Sequence, residues 1–187
     1  MNLPNRLTLA RLAFTGVFVV CFAVEFPFRF TTAFAVFLLA AMTDLLDGII
    51  ARKWNLITDF GKLMDPLADK ILTASAFICL IEYGAIPGWA VILVISREFL
   101  ITGLRSLAAT KGLVIPADNL GKHKTTWQMI TITYFLLLLA IGEIDHPAWF
   151  STAWFLGTHV FVPITVIISV YSGLAYFFKN RELITEA

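Results

Sequence analysis

The stretch that decides the reading is residues 44–69, DLLDGIIARKWNLITDFGKLMDPLAD, which carries five Asp within a chain of 187 residues that is otherwise 59% hydrophobic and only 14% charged. Asp44 and Asp47 are three apart and Asp65 and Asp69 four apart, so on helices each pair shares a face. Gly48 and Ala51 continue the first stripe. The KWNLITDFG between the pairs reads as a hairpin, so the two faces can converge. Four carboxylates in one small volume repel one another unless cations compensate them. A divalent metal does this most simply, and an all-oxygen ligand set favours Mg²⁺ or Mn²⁺ over zinc. Asp59 falls off both stripes and reads as a loop carboxylate.

Working outward, seventeen Phe, five Trp and long apolar runs exclude an ordinary soluble domain and indicate an all-α integral membrane protein. The runs predict six transmembrane helices near residues 7–24, 32–52, 63–83, 88–109, 124–141 and 150–178, forming one bundle and one domain over 1–187. The first run has a signal-peptide flavour, but no small-x-small pattern follows it, and it reads as the first span. Arg52, Lys53, Lys62, Lys111, Lys122 and Lys124 fall on the same side as both termini, while Arg29 is the one base opposite. The positive-inside tendency makes the base-rich side cytoplasmic and the chain a multi-pass protein of the cytoplasmic, or inner, membrane.

With the second span ending near Arg52, Asp44 lies roughly 12 Å below that end by helical rise, so the metal site is recessed from the cytoplasmic side. Gly48, Ala51 and Gly61 are small where a bulky ligand must approach backbone, and Arg52 offers a fork for phosphate oxygens. Metals, small residues and Arg together indicate a diphosphate. A net charge of +1 gives no reason to invoke nucleic acid. Cys21 and Cys79 sit in apolar runs without ligand spacing, and His123, His146 and His159 read as incidental.

The stretch resembles the signature of the CDP-alcohol phosphatidyltransferases, D-x2-D-G-x2-A-R-x8-G-x3-D-x3-D, complete here as Asp44, Asp47-Gly48, Ala51-Arg52, Gly61, Asp65 and Asp69. The resemblance implies that Asp44, Asp47 and Asp65 bind two metal ions, with Asp69 as general base and also beside the second metal. It further implies that Gly48, Ala51, Arg52 and Gly61 line the cytidine diphosphate site, and that the protein is a homodimer. The residues agree: a carboxylate beside a metal can take the proton of an attacking hydroxyl, and the metals neutralise charge on the leaving phosphate.

Asn5, Thr8 and Arg11 form a polar stripe about one helical turn apart on the first span. Two readings stay open for it: the resemblance points it at the donor's diphosphate, and simple topology makes it an interfacial anchor with Arg11 snorkelling.

In the fourth span Arg97 and Glu98 lie near mid-membrane, where charges must face the interior and pair; Glu98, Thr102 and Arg105 share a face. Lys122 and Lys124, with Thr125 and Gln128, open the fifth span, although cytoplasmic lysines also arise from topology alone. Together Arg97, Arg105, Lys122 and Lys124 offer a second anion site, as a phosphorylated acceptor requires. These stretches resemble the glycerol-3-phosphate-using branch of the family, which implies transfer of a phosphatidyl group from CDP-diacylglycerol to glycerol 3-phosphate. Beyond Gln128 the sequence reads as generic membrane helix. Inositol phosphate or phosphatidylglycerol as acceptor, an intramembrane prenyltransferase, and a divalent-cation transporter are the competing readings. The last two have no use for the D-G-x2-A-R element or for Arg52 beside the metals.

Overall fold

The computed structural model describes the backbone of residues 3–54, 59–110 and 119–180, and side chains at 7–43, 64, 67–110 and 121–180. The described residues form six helices and no strand: α1 (Leu3–Ala23), α2 (Arg29–Trp54), α3 (Asp59–Glu82), α4 (Gly88–Thr110), α5 (Asn119–Ile144) and α6 (Phe150–Lys179). All six coincide with the apolar runs of the sequence. Pro27, Pro87 and Pro147 fall between helices, where a missing N–H costs nothing. Gly84, at φ +65, closes α3 in the left-handed conformation that glycine adopts without strain.

Among the described residues, two helical segments, Gly121–Ile144 and Phe150–Lys179, are long and apolar enough by themselves to cross a membrane; shorter apolar stretches occupy Leu7–Ala23 and Arg29–Thr43. The surface agrees with a lipid solvent. Ile92, Phe99 and Ile167 are each 65% exposed and Phe178 is 63% exposed, an outward apolar surface that water would not tolerate over a whole bundle.

In the interior α1 packs against α2 and α3, α2 also against α5, and α6 against α4 and α5. One end is filled with rings: Phe22, Phe30 and Tyr83 meet edge-to-face at centroid distances of 5.0–5.7 Å. At the same end Glu143 of α5 accepts hydrogen bonds from Phe30 N (3.2 Å), Thr31 N (3.0 Å) and Thr31 Oγ1 (3.0 Å). It thereby supplies the first turn of α2 with the acceptor that the helix itself lacks. Thr131 and Thr165 bridge α5 and α6 at 2.7 Å, a polar tie between helices that share an apolar solvent.

The long last helix is interrupted by a π-helical turn at Gly157–Phe161. A Cβ on Gly157 would stand 2.7 Å from the Phe135 ring, so α5 and α6 approach closely there because glycine permits it.

Candidate active site

The site grows from α3, α4, α5 and α6. On α4 Arg97, Glu98 and Thr102 turn toward the neighbouring helices, as charged residues in an apolar helix must, while Phe99 points outward. Arg97 Nη1 donates to Glu98 Oε1 at 3.0 Å, and Lys124 Nζ of α5 donates to the same oxygen. Lys124 is 8% exposed, so one carboxylate serves two cations inside the bundle. Arg97 Nη2 reaches across to Ser172 Oγ on α6 at 3.1 Å, leaving each terminal guanidinium nitrogen one further N–H to offer. Arg105 is exposed; its Nε donates to Tyr176 OH at 3.2 Å and its guanidinium lies 5.5 Å from the Tyr176 ring centroid. Lys70, next to Asp69 on α3, donates to Thr102 Oγ1, which in turn donates to the Glu98 carbonyl at 2.7 Å.

These groups border one polar cavity of about 520 Å³, whose walls include Asp69, Glu98, Arg105, Lys122, Lys124 and Tyr176. Two more cavities adjoin it. One of about 270 Å³ runs between α3, α4 and α5 among Leu67, Phe77, Val94 and Phe99. The other, about 640 Å³, lies between α2, α3 and α5 among Leu72, Met129, Ile130 and Leu137. Asp69 and Thr125 line all three. The half-buried Asp69 carboxylate therefore stands where one cation-rich space and two apolar spaces meet.

Of the residues singled out in the sequence, Asp69, Arg97, Arg105, Lys122 and Lys124 are brought to the polar cavity. Thr8 and Arg11 are fully buried in the bundle. The snorkelling alternative for Arg11 is thereby overturned, because α1 turns that face toward its neighbours rather than toward the interface. The side chains of Asn5, Asp44, Asp47, Gly48, Ala51, Arg52, Gly61 and Asp65 lie outside the described residues. The backbone carries Asp44 and Asp47 in α2 and Asp65 and Asp69 in α3, on either side of residues 55–58.

Reading the last helix as generic missed three participants, Ser172, Gly173 and Tyr176. Ser169, Ser172, Gly173 and Tyr176 form an i, i+3, i+4, i+7 stripe, and the last three meet Arg97 or Arg105. Gly173 is required by contact, since a Cβ there would stand 2.7 Å from Arg97 Cγ. The polar members of that stripe were the available signal. Lys70 was also missed, its charge overshadowed by the adjacent Asp69.

A family model described as CDP-alcohol phosphatidyltransferase matches residues 1–172. The chain belongs to the CDP-alcohol phosphatidyltransferase family. Similar CDP-alcohol phosphatidyltransferase relatives include a Bacillus subtilis (strain 168) protein, 39% identical over 97% of this chain and 96% of its own length. A Rickettsia bellii (strain RML369-C) protein is 40% identical over 73% of this chain and 75% of its own. Both are named CDP-diacylglycerol–glycerol-3-phosphate 3-phosphatidyltransferase. The family match reaches every helix that borders the polar cavity and ends within α6 at Ser172, one turn short of Tyr176.

Proposed function

We propose that this chain transfers the phosphatidyl group of CDP-diacylglycerol to glycerol 3-phosphate, releasing CMP and forming phosphatidylglycerol phosphate. The similarity to the Bacillus subtilis relative over nearly the whole of both chains supports the reaction. The observation that carries the acceptor is the polar cavity, in which five basic side chains and the Glu98 carboxylate stand beside Asp69. A cluster of that sign suits a phosphorylated alcohol, whereas a neutral alcohol would leave its cations uncompensated.

In this reading Asp69 accepts the proton of the acceptor hydroxyl as its oxygen attacks the phosphorus that bears the diacylglycerol. The new O–P bond forms as the bond to the CMP oxygen breaks, so CMP carries away the electron pair and no covalent enzyme intermediate is needed. Arg105, Lys122 and Lys124 hold the acceptor phosphate, with Arg97 fixing Glu98 and offering its remaining N–H groups. Asn5, Thr8, Arg11, Gly48, Ala51, Arg52 and Gly61 hold the cytidine diphosphate.

Asp44, Asp47, Asp65 and Asp69 are the residues that would hold two divalent ions. The fit rests on their chemistry, an all-carboxylate set suited to hard Mg²⁺ or Mn²⁺, and on Asp69 facing open space rather than a sealed core. Bound there, the ions would neutralise charge on the diphosphate and the leaving CMP.

The same reading makes the chain a single domain with six membrane spans, both termini on the cytoplasmic side, the site recessed from that side, and two copies per molecule. Purified protein incubated with CDP-diacylglycerol, Mg²⁺ and a panel of glycerol 3-phosphate, inositol phosphate and phosphatidylglycerol tests it. CMP release dependent on glycerol 3-phosphate is expected. Release with another acceptor alone would reassign the substrate, and release with none would end the transferase reading.

A further inference from the structure

We propose that a cavity of about 500 Å³ at the end of the bundle away from Asp69 binds an alkylated ammonium group, carried by a lipid headgroup or free in solution. The inference does not depend on the transferase reading. The cavity lies among the ends of α2, α3, α5 and α6, and Phe30, Tyr83, Glu143, Phe150 and Trp154 border it. Glu143 stands eighteen residues beyond Thr125 along α5, about 27 Å by helical rise, so this cavity is remote from those that Asp69 lines. Its rings form two groups. Phe30 and Tyr83 meet at a centroid distance of 5.0 Å, and Phe150 stacks on Trp154 at 5.9 Å. Aromatic rings attract a cation through the negative charge of their faces, and aromatic cages are how alkylated ammonium groups are recognised.

The charge at this end selects the sign of the ligand. Glu143 serves the first turn of α2, its Oε1 accepting one hydrogen bond and its Oε2 two, which leaves Oε1 with acceptor capacity. Among the described residues no cationic side chain forms an ion pair with it. The α2 terminus offsets only about half a charge. Glu25, Glu82 and Asp145 are exposed at the same end. Arg29 is the one Lys or Arg there among the described residues, and it is already paired with Glu25 at 3.8 Å. Its guanidinium carbon lies 4.6 Å from the Phe30 centroid, so this ring already holds one cation, from a residue outside the cavity's walls. His146 borders the cavity and meets Phe150 edge-to-face at 5.0 Å. An anion would meet like charge here, and a bare hydrocarbon would bury the carboxylate without compensation. An alkylated ammonium compensates that charge while its carbon substituents fill the space between the rings.

Capping α2 requires an acceptor oxygen rather than a charge, so Glu143→Gln separates the two roles of this side chain. Calorimetric titration of the purified full chain in detergent with choline, and with dimethylbutanol in which carbon replaces the nitrogen, tests the site. Choline should bind saturably and at least about tenfold more tightly than the uncharged isostere, and Glu143→Gln and Trp154→Leu should each weaken it by about tenfold. Ser151→Lys gives a second reading that does not disturb the packing, because Ser151 is exposed at the cavity's border. The added cation should weaken choline by about tenfold, whereas Ser151→Gln should change it less than about twofold. Absence of saturable binding, equal binding of the isostere, or an affinity unmoved by both Glu143→Gln and Ser151→Lys overturns the proposal. Nanodiscs distinguish the two sources of the ammonium group. Choline should titrate into protein held in phosphatidylglycerol alone; its exclusion once phosphatidylcholine is added assigns the site to a lipid headgroup, and undiminished binding assigns it to a free cation. Because binding is read without turnover, a failure of CMP release bears on the transferase reading alone, and a failure of choline binding on this proposal alone.

Discussion

Gly173 offers the sharpest test of the acceptor side, because its effect on the site must pass through Arg97. A methyl group added at this position would stand 2.7 Å from Arg97 Cγ, about 0.8 Å inside a normal carbon–carbon contact. The Arg97 stem cannot yield without moving its guanidinium, which is held by Glu98 at 3.0 Å and Ser172 at 3.1 Å. Overpacking of this kind costs about 1–3 kcal/mol. If the displacement is carried through Glu98 to Lys124, the KM for glycerol 3-phosphate should rise by about tenfold in Gly173→Ala, while the donor KM changes less than twofold. Initial rates of CMP release, with each substrate varied in turn, measure both. In an Arg97→Ala background the added methyl has no stem to meet, so Gly173→Ala should then have little further effect. An unchanged acceptor KM in a folded Gly173→Ala protein would refute the linkage. So would an equal increase with and without Arg97.

Gly157→Ala provides the contrast: its Cβ would press on the Phe135 ring at 2.7 Å, far along α6 from the polar cavity. It should lower thermal stability in detergent by about 1–3 kcal/mol and leave both KM values unchanged; a selective rise in acceptor KM would count against the assigned cavity. Glu98→Gln leaves Arg97 and Lys124 buried without their shared counter-charge, and should cost about 3–5 kcal/mol in the same melting experiment, an outcome contradicted by an unaltered melting temperature. Asp69→Asn should reduce CMP release by at least about a hundredfold with donor binding still measurable by calorimetry, and an active variant would remove its role as base. Chelation with EDTA should abolish turnover, and Mg²⁺ or Mn²⁺ should restore it; full activity in chelator would remove the metals from the mechanism.

The helices were legible because apolar runs of bilayer length are bounded by proline, glycine and charge, and α1 to α6 follow those boundaries. The α4 wall of the polar cavity was legible for the same reason in reverse: Arg97, Glu98 and Arg105 are conspicuous inside an apolar run. Ser172, Gly173 and Tyr176 were not, since small and aromatic residues are ordinary in a membrane helix and acquire meaning only when α6 packs against α4. Arg11 could be read two ways because its fate depended on which face of α1 meets α2 and α3, a tertiary fact that spacing does not contain. The π-helical turn had no sequence signal beyond Gly157, whose importance comes from Phe135 on another helix.

The charge balance of the polar cavity narrows where an acceptor phosphate would sit under the proposed reading. Among the described residues, Lys70, Arg97, Arg105, Lys122 and Lys124 face only Asp69 and Glu98 there, so positive charge is in surplus among them. Glu98 is committed to Arg97 and Lys124, which lowers the cost of burying those two cations when no substrate is present. Arg105 and Lys122 are exposed, and Arg105 is held by a neutral phenol rather than by a carboxylate. Among the described residues, their charge is the part not already neutralised at close range. A phosphate carrying about −1.5 to −2 would thus gain most at the Arg105 and Lys122 side of the cavity, with its carbon chain directed toward Asp69. Arg105→Ala should accordingly raise the acceptor KM more than Lys124→Ala raises it per unit of stability lost, because Lys124 is tied into the bundle's own ion pair. Parallel kinetics and melting curves on the two variants separate these contributions, and a larger kinetic effect from Lys124→Ala at equal stability would move the phosphate to the Glu98 side.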